Sequence, residues 1–257
     1  MNYELDRSLT VRADDAPVSF RHACLSGRDA LGLYPMPFLL RLWNLSESDY
    51  HLLRAAQKLS VLHGDSVLAS GSISDVYLHT VPEGTLTEIV FAAGLELWEA
   101  PVSLSVEAGV SVSETVRRLL EASGTGIALL SFPGENPVRS RPQAFFGRAA
   151  ECVEEALSAS GARGYLTEAG LCIAPASGLP VSMSLSAADL LSDPVPVGKN
   201  RFLLRTRITG WPLGKMISVK WKDGSLEGLV LERSVEGDNL EGKWESELLV
   251  GCGEKGR

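Results

Sequence analysis

Residues 59–91 read LSVLHGDSVLASGSISDVYLHTVPEGTLTEIVF. Apolar and polar residues alternate from Leu59 to His63, from Ser66 to Thr80 and from Thr85 to Phe91. The alternation breaks at Gly64-Asp65 and at Pro82-Glu83-Gly84. A period of two turns one row of side chains inward and the other outward, and the breaks are made of turn-forming residues. The stretch therefore predicts a meander of half-buried strands joined by tight turns.

The flanks extend this reading. Pro37 to Trp43 is a strand that stops at Asn44. Ser46 then sits as an N-cap with Asp49 three residues on, and Leu45 and Tyr50 occupy the positions of a hydrophobic staple. Leu53 and Ala56 carry helical spacing until Lys58. The last third is β again: Arg201 to Ile208, Met216 to Trp221, Ser225 to Val235 and Lys243 to Val250, with turns at Lys222-Asp-Gly224 and Gly237-Asp-Asn239. The two β regions resemble each other weakly. Val61 to Phe91 runs strand, Gly71, long strand, Pro82-Glu-Gly84, and a strand containing Thr87-Glu-Ile-Val90. Val219 to Val250 runs strand, Gly228, long strand, Leu240-Glu-Gly242, and a strand containing Ser246-Glu-Leu-Leu249. An internal duplication and a chance likeness between short amphipathic strands both fit this pattern.

Between them the period changes. Val102 to Val106 is a short strand. Ser111-x-x-Glu114 is a capping box, and Val112, Val116, Leu119 and Leu120 form one helix face closed by Gly124. Gly126 to Phe132 is expected as a buried strand, and a second helix is predicted from about Gln143 to Ser160. Gly164-Tyr-Leu and Leu171-Cys-Ile flank a hairpin turn. The fold class is thus α+β, with two β-rich ends flanking a central α/β module. The boundaries fall at 1–99, 100–178 and 179–257.

The 257 residues are 45% hydrophobic and 22% charged, an ordinary globular balance. The formal net charge is −8, from 24 basic and 32 acidic residues, which disfavours sequence-independent binding of nucleic acid. Arg117, Arg118, Arg139, Arg141, Arg148 and Arg163 concentrate in the middle third and read as solvated faces and loops. The start of the chain has no secretory pattern and no stretch is long enough to span a membrane, so no stable membrane insertion is expected. Cys24, Cys152, Cys172 and Cys252 form no paired motif and are expected as reduced thiols.

Chemical motifs are weak. Gly64-Asp65-Ser66-Val67 echoes a lipase and esterase nucleophile block, but that block needs a histidine near the C-terminus and none follows His79. A Gly-Asp hairpin turn explains the same residues. His22, His51, His63 and His79 show no metal-ligand spacing. Gly210-Trp-Pro-Leu-Gly214-Lys215-Met216 imitates a phosphate loop but is one residue short, lacks the Ser/Thr, and precedes a strand. Trp43, Trp98, Trp211, Trp221 and Trp244 read as core or rim packing. No catalytic, cofactor-binding or metal residue is assigned, and no cofactor is expected.

Several segments together resemble the baseplate hub proteins of contractile-tailed phages, of the Mu-like and late-control type. Leu42-Trp-Asn-Leu-Ser46 resembles their "(F/W)NLS" helix start, and Ala69-Ser-Gly-Ser-Ile73 their "GxI" strand. Val106 to Glu114 is similar to the segment leading into their second-domain helix. Val235-Glu-Gly-Asp-Asn239 with Gly242-Lys-Trp-Glu-Ser246 resembles their closing hairpin, although Val235 and Glu236 stand where a histidine usually falls. The likeness runs from Pro37 to Val250. It implies a virion structural protein and not an enzyme, made in the bacterial host cytoplasm and placed in the tail baseplate. The implied partners are a second and third copy of the chain in a homotrimer, a trimeric spike protein, the tail tube protein and other baseplate proteins. The resemblance also implies that the β-rich ends are two small β-barrel domains flanking the α/β module, and two similar barrels per chain would make the trimer pseudo-sixfold. The alternatives are a small serine esterase using Ser66 and a surface- or carbohydrate-binding β-module. Shared strand order between the two β regions is expected on the hub reading; one continuous sheet across both, or different strand orders, would break the pseudo-sixfold argument and remove the main physical support of that reading.

Overall fold

A computed structural model describes residues 7–175, 179–208, 210 and 212–252. The N-terminal β region contains β1 (Thr10–Ala13), β2 (Ala16–Val18), β3 (His22–Ala30), β4 (Pro37–Trp43), α1 (Glu47–Ala55), β5 (Lys58–His63), β6 (Ser66–Val81) and β7 (Gly84–Ala92). The middle contains α2 (Leu95–Glu99), β8 (Pro101–Val106), α3 (Val112–Ser123), β9 (Leu129–Ser131), β10 (Gln143–Arg148), α4 (Ala149–Ser158), β11 (Arg163–Thr167) and β12 (Gly170–Ala174). The C-terminal region contains β13 (Val181–Leu185), β14 (Val195–Gly198), β15 (Arg201–Arg207), β16 (Met216–Trp221), β17 (Gly224–Asp238) and β18 (Trp244–Gly251).

The local signals hold where they are strongest. Ser46 caps α1 by accepting from Asp49 N–H, and Ser111 caps α3 by accepting from Glu114 N–H. Gly124 ends α3 with φ +67°, in the left-handed region that favours glycine. Two middle-third expectations are corrected. Gln143 to Arg148 is a strand, not the first turns of a helix: it pairs antiparallel with β8, and the helix begins only at Ala149. Phe145 is buried and Phe146 is 88% exposed, an alternation that the helical spacing from Phe145 to Ala149 concealed. The expected buried strand from Gly126 to Phe132 shrinks to Leu129–Ser131 and is mostly exposed, since only β12 pairs with it.

The larger correction concerns the sheet. Two separate closed barrels do not form. The β strands of both regions join in one 13-stranded sheet, ordered β14-β15-β18-β17-β3-β4-β7-β6-β5-β1-β2, with β16 on β17 and β13 on β16. The joint is the antiparallel pairing of Glu232–Asp238 in β17 with Cys24–Ala30 in β3. One core, including Leu25, Phe38, Leu40, Leu59, Leu68 and Ile89, also takes in Ile208, Val235 and Trp244 from the last third. A second core lies in the α/β module and a third between β15, β16, β17 and β18.

Within this sheet the two regions share strand order. The chain segments β4, β5, β6 and β7 lie side by side as β4-β7-β6-β5, and β15, β16, β17 and β18 lie as β15-β18-β17-β16. The registers match too. Leu59 faces Gly71 as Ile217 faces Gly228. Ala92 pairs with Pro37 and Ser72 as Gly251 pairs with Arg201 and Leu229. A bulge interrupts the long strand between Ile73 and Asp75 in one unit and between Val230 and Glu232 in the other. Such coincidence of order, register and bulge is not expected of unrelated hairpins. The duplication legible in the sequence is therefore structural, and Thr87-Glu-Ile-Val90 superposes in register on Ser246-Glu-Leu-Leu249. The flanks differ: β1 runs antiparallel to β5, whereas β13 runs parallel to β16. The continuous sheet is the outcome set against the pseudo-sixfold argument, which falls in its two-barrel form; what the shared order, register and bulge leave is two equivalent units joined along an edge.

Gly71 and Gly228, the glycines shared by the two β regions, have the same packing reason. A Cβ on Gly71 would lie 2.2 Å from the carbonyl carbon of Ala92, and one on Gly228 would lie 2.7 Å from the carbonyl oxygen of Gly251. The long strand crosses the end of the last strand at van der Waals contact in each unit, two residue pairs before the bulge.

Candidate functional site

The seam between the units is the most elaborated polar region. Arg233 on β17 is 1% exposed. Its Nε and Nη2 donate to the two carboxylate oxygens of Asp29 on β3, both at 3.2 Å. Nη1 donates to Gly210 O at 3.0 Å and Nη2 to Leu68 O of β6 at 2.5 Å. One guanidinium thus ties the second unit to β3 and β6 of the first. Burial pushes the Asp29 carboxyl above its usual range, and the Arg233 charge offsets this only in part.

At the other end of the seam, His22 and Cys24 of β3 meet Asp238 of β17. His22 Nε2 lies 3.2 Å from Asp238 Oδ1, and Cys24 Sγ donates to Asp238 Oδ2 at 2.9 Å. The N–H groups of Leu240 and Glu241 also donate to Oδ1. Burial works to raise the Asp238 pKa, but the hydrogen bonds from Cys24, Leu240, Glu241 and His22 outweigh it and hold the carboxyl at about 2. Burial and then the Asp238 hydrogen bond push the Cys24 thiol up to about 12, so it remains protonated at neutral pH. His22 also stacks on Trp43 with ring centroids 4.1 Å apart. These three side chains are the types that could hold a metal ion, with ligand atoms all within 4.8 Å. In sequence they were invisible as a set, because 214 residues separate Cys24 from Asp238.

The sequence lures end as structural parts. Gly64-Asp65 is the turn between β5 and β6. His63 stands opposite Ser66 in register, but its Nδ1 lies 2.9 Å from Ser8 O and its ring packs edge-on against Trp244. Ser66 gains no base among the described residues. Of the tryptophans, Trp244 is buried in the first core, Trp221 packs on the third, and Trp98 lies beneath the Arg148 guanidinium. Trp211 falls outside the described residues. The central arginines are largely engaged: Arg117 and Arg118 pair with Glu114, and Arg139 lies over Phe145. A cleft of about 400 Å³ between sheet and module is lined by Asp14, Lys58, Ser60 and Glu168 among others. Its polar groups are committed to each other: Asp14 accepts from the N–H groups of Gln57 and Lys58, and Ser60 donates to Glu168. Among the described residues, no helix is long and apolar enough to cross a membrane.

The other feature without an enzymatic explanation is a pair of open strand edges. β14 ends the sheet on one side. The outer half of β6, Asp75–Val81, pairs with β7 on one edge and with no described strand on the other.

Compared with solved structures, the whole chain is similar to the prophage MuSo2 43 kDa tail protein from Shewanella oneidensis, with a TM-score of 0.70 and 11% identity. The match covers 96% of this chain and 97% of that one. This is the fold of a phage tail protein. A tail protein from Neisseria meningitidis matches with a TM-score of 0.68 at 9% identity, over 95% of this chain and 96% of that one. The E. coli c3393 protein, a type VI secretion system component described as similar to the bacteriophage tail proteins gp27 and gp5, matches with a TM-score of 0.68 at 10% identity. That match covers 95% of this chain and 77% of the other. No protein-family model and no curated protein matches the sequence. The proteins of these structures are tail and secretion-system components.

Proposed function

We propose that this chain is a structural hub of a phage or prophage tail baseplate, acting as a homotrimer that adapts a sixfold tail tube to a trimeric spike. The observation that carries the reading is the internal duplication: two four-stranded units with the same order, register and bulge in one chain. Three such chains present six near-equivalent units, which a sixfold partner can engage, while the chain as a whole keeps threefold symmetry for a spike. The tail-protein fold supports the same reading. On it, the chain divides into a β unit over 1–99, an α/β module over 100–178 and a β unit over 179–257. The partners are other copies of the chain, the tube, the spike and other baseplate proteins. It is made in the host cytoplasm and resides in the virion tail. The acidic balance suits a channel along which DNA slides, since a lysine- or arginine-rich wall would hold it by counterion release. Light scattering of the full chain over a concentration series tests the assembly. A threefold mass that grows in with concentration is expected; a chain that stays monomeric alone and with a trimeric spike partner overturns the reading.

A further inference from the structure

The duplication makes one contact in the chain a template for another. In the second unit, the outer half of the long strand β17 pairs with β3, the strand that precedes the first unit's β4. The register equivalence maps Glu232–Asp238 of β17 onto Asp75–Val81 of β6. It also maps β3 onto β14, since Ser26 and Gly27 pair with Leu39 and Phe38 as Val195 and Pro196 pair with Leu203 and Phe202. Within one chain the second unit's long strand reaches the first unit's leading strand. Among the described strands, the first unit's long strand has no such neighbour and β14 has none on its outer side.

We propose that Asp75–Val81 of one copy pairs antiparallel with β14 of a neighbouring copy, with Leu78 opposite Pro196 and His79 opposite Val195. The inference rests on the assembly reading above and names the surface that would build it. Two further observations favour this occupant. Tyr77 and Leu78 on β6 are 47% and 51% exposed, and Val195 and Val197 on β14 are 50% and 51% exposed. The mapped register sets Tyr77 across from Val197, so apolar side chains left in water on both edges cover each other. The backbone directions agree as well. Asn44 N–H donates to Thr85 O, which turns the odd residues of β7 to β4 and its even residues to β6; Val76, Leu78 and Thr80 thus aim their N–H and C=O groups at the open edge. Cys252 N–H donates to Asn200 O, so Leu203 and Val195 bond each other and Pro196 faces outward. Proline offers an acceptor there but no donor. The ladder between copies is accordingly weaker than β17·β3, and copies separate on dilution while the units of one chain stay joined.

By the same alternation His79 and Val195 form a non-hydrogen-bonded pair, whose Cα atoms lie about 4.5 Å apart, within disulfide range. The test combines His79→Cys and Val195→Cys in the full chain under mild oxidation at trimer-forming concentration, with each single variant as control. A reducible, covalently closed trimer in the double variant alone is expected. An unsubstituted chain that is trimeric while the double variant yields no intermolecular disulfide overturns the pairing and leaves the trimer standing. A chain that never assembles overturns both. Leu78→Pro supplies an independent arm: its N–H points away from β7 to the open edge, so loss of the trimer with an unchanged monomer melting temperature is expected, and unimpaired assembly overturns the pairing.

Discussion

Replacing Arg233 by leucine tests the seam directly. Arg233 is 1% exposed, and its guanidinium donates to both Asp29 carboxylate oxygens, to Leu68 O and to Gly210 O. Removing one partner of a buried ion pair costs about 3–5 kcal/mol, because the other charge stays buried without compensation. Each carbonyl that loses its donor adds about 1 kcal/mol at the low end. Since Asp29 can take up a proton to relieve part of this, a loss of about 4–6 kcal/mol at neutral pH is expected, a large share of a domain's usual stability of about 5–15 kcal/mol. Urea unfolding reads it: with an m-value of about 3 kcal/mol/M, the midpoint falls by about 1.3–2 M. The pH dependence follows from the sign of the Asp29 shift. Burial already raises the Asp29 pKa against the pull of Arg233, and without that cation it rises further, so the deficit of the variant shrinks as pH falls from the variant's Asp29 pKa towards the parent's. Asp29→Leu combined with Arg233→Leu removes both charges and should recover most of the loss. A single variant within about 1 kcal/mol of the parent, or a double variant less stable than the single, would refute the idea that this pair locks the units together.

Gly71→Ala and Gly228→Ala should each destabilise by about 1–3 kcal/mol, since a Cβ would meet the Ala92 carbonyl or the Val250 side chain and Gly251 carbonyl; thermal unfolding measures it, and unchanged melting temperatures would contradict the equivalence of the two crossings. Asp238, held at about 2 against an unfolded value of about 3.9, contributes stability that is present above the unfolded value and is lost as pH falls from there through about 2. Asp238→Asn should therefore flatten acid unfolding between those values, and an identical acid transition in parent and variant would count against the His22–Cys24–Asp238 knot. Ser66→Ala should leave any background turnover of a generic ester unchanged; turnover abolished by that substitution would return the esterase alternative.

How much of this was legible in advance depended on the range of the signal. The caps at Ser46 and Ser111, the stop at Gly124 and the turns at Gly64-Asp65 and Lys222-Asp223 are written within four residues of where they act, and the sequence alone placed them. It also carried the duplication, because matched strands need matched alternation and a glycine wherever the long strand crosses its neighbour's end. Gln143 to Arg148 was misread because Phe145 and Ala149 satisfy helical spacing, while pairing with β8 decides the matter from outside the segment. The joining of the units, the burial of Arg233 against Asp29 and the meeting of His22, Cys24 and Asp238 were decided only in three dimensions. Each brings together residues more than 200 positions apart, and hydrophobic alternation says which face of a strand is buried but not which distant strand lies beside it.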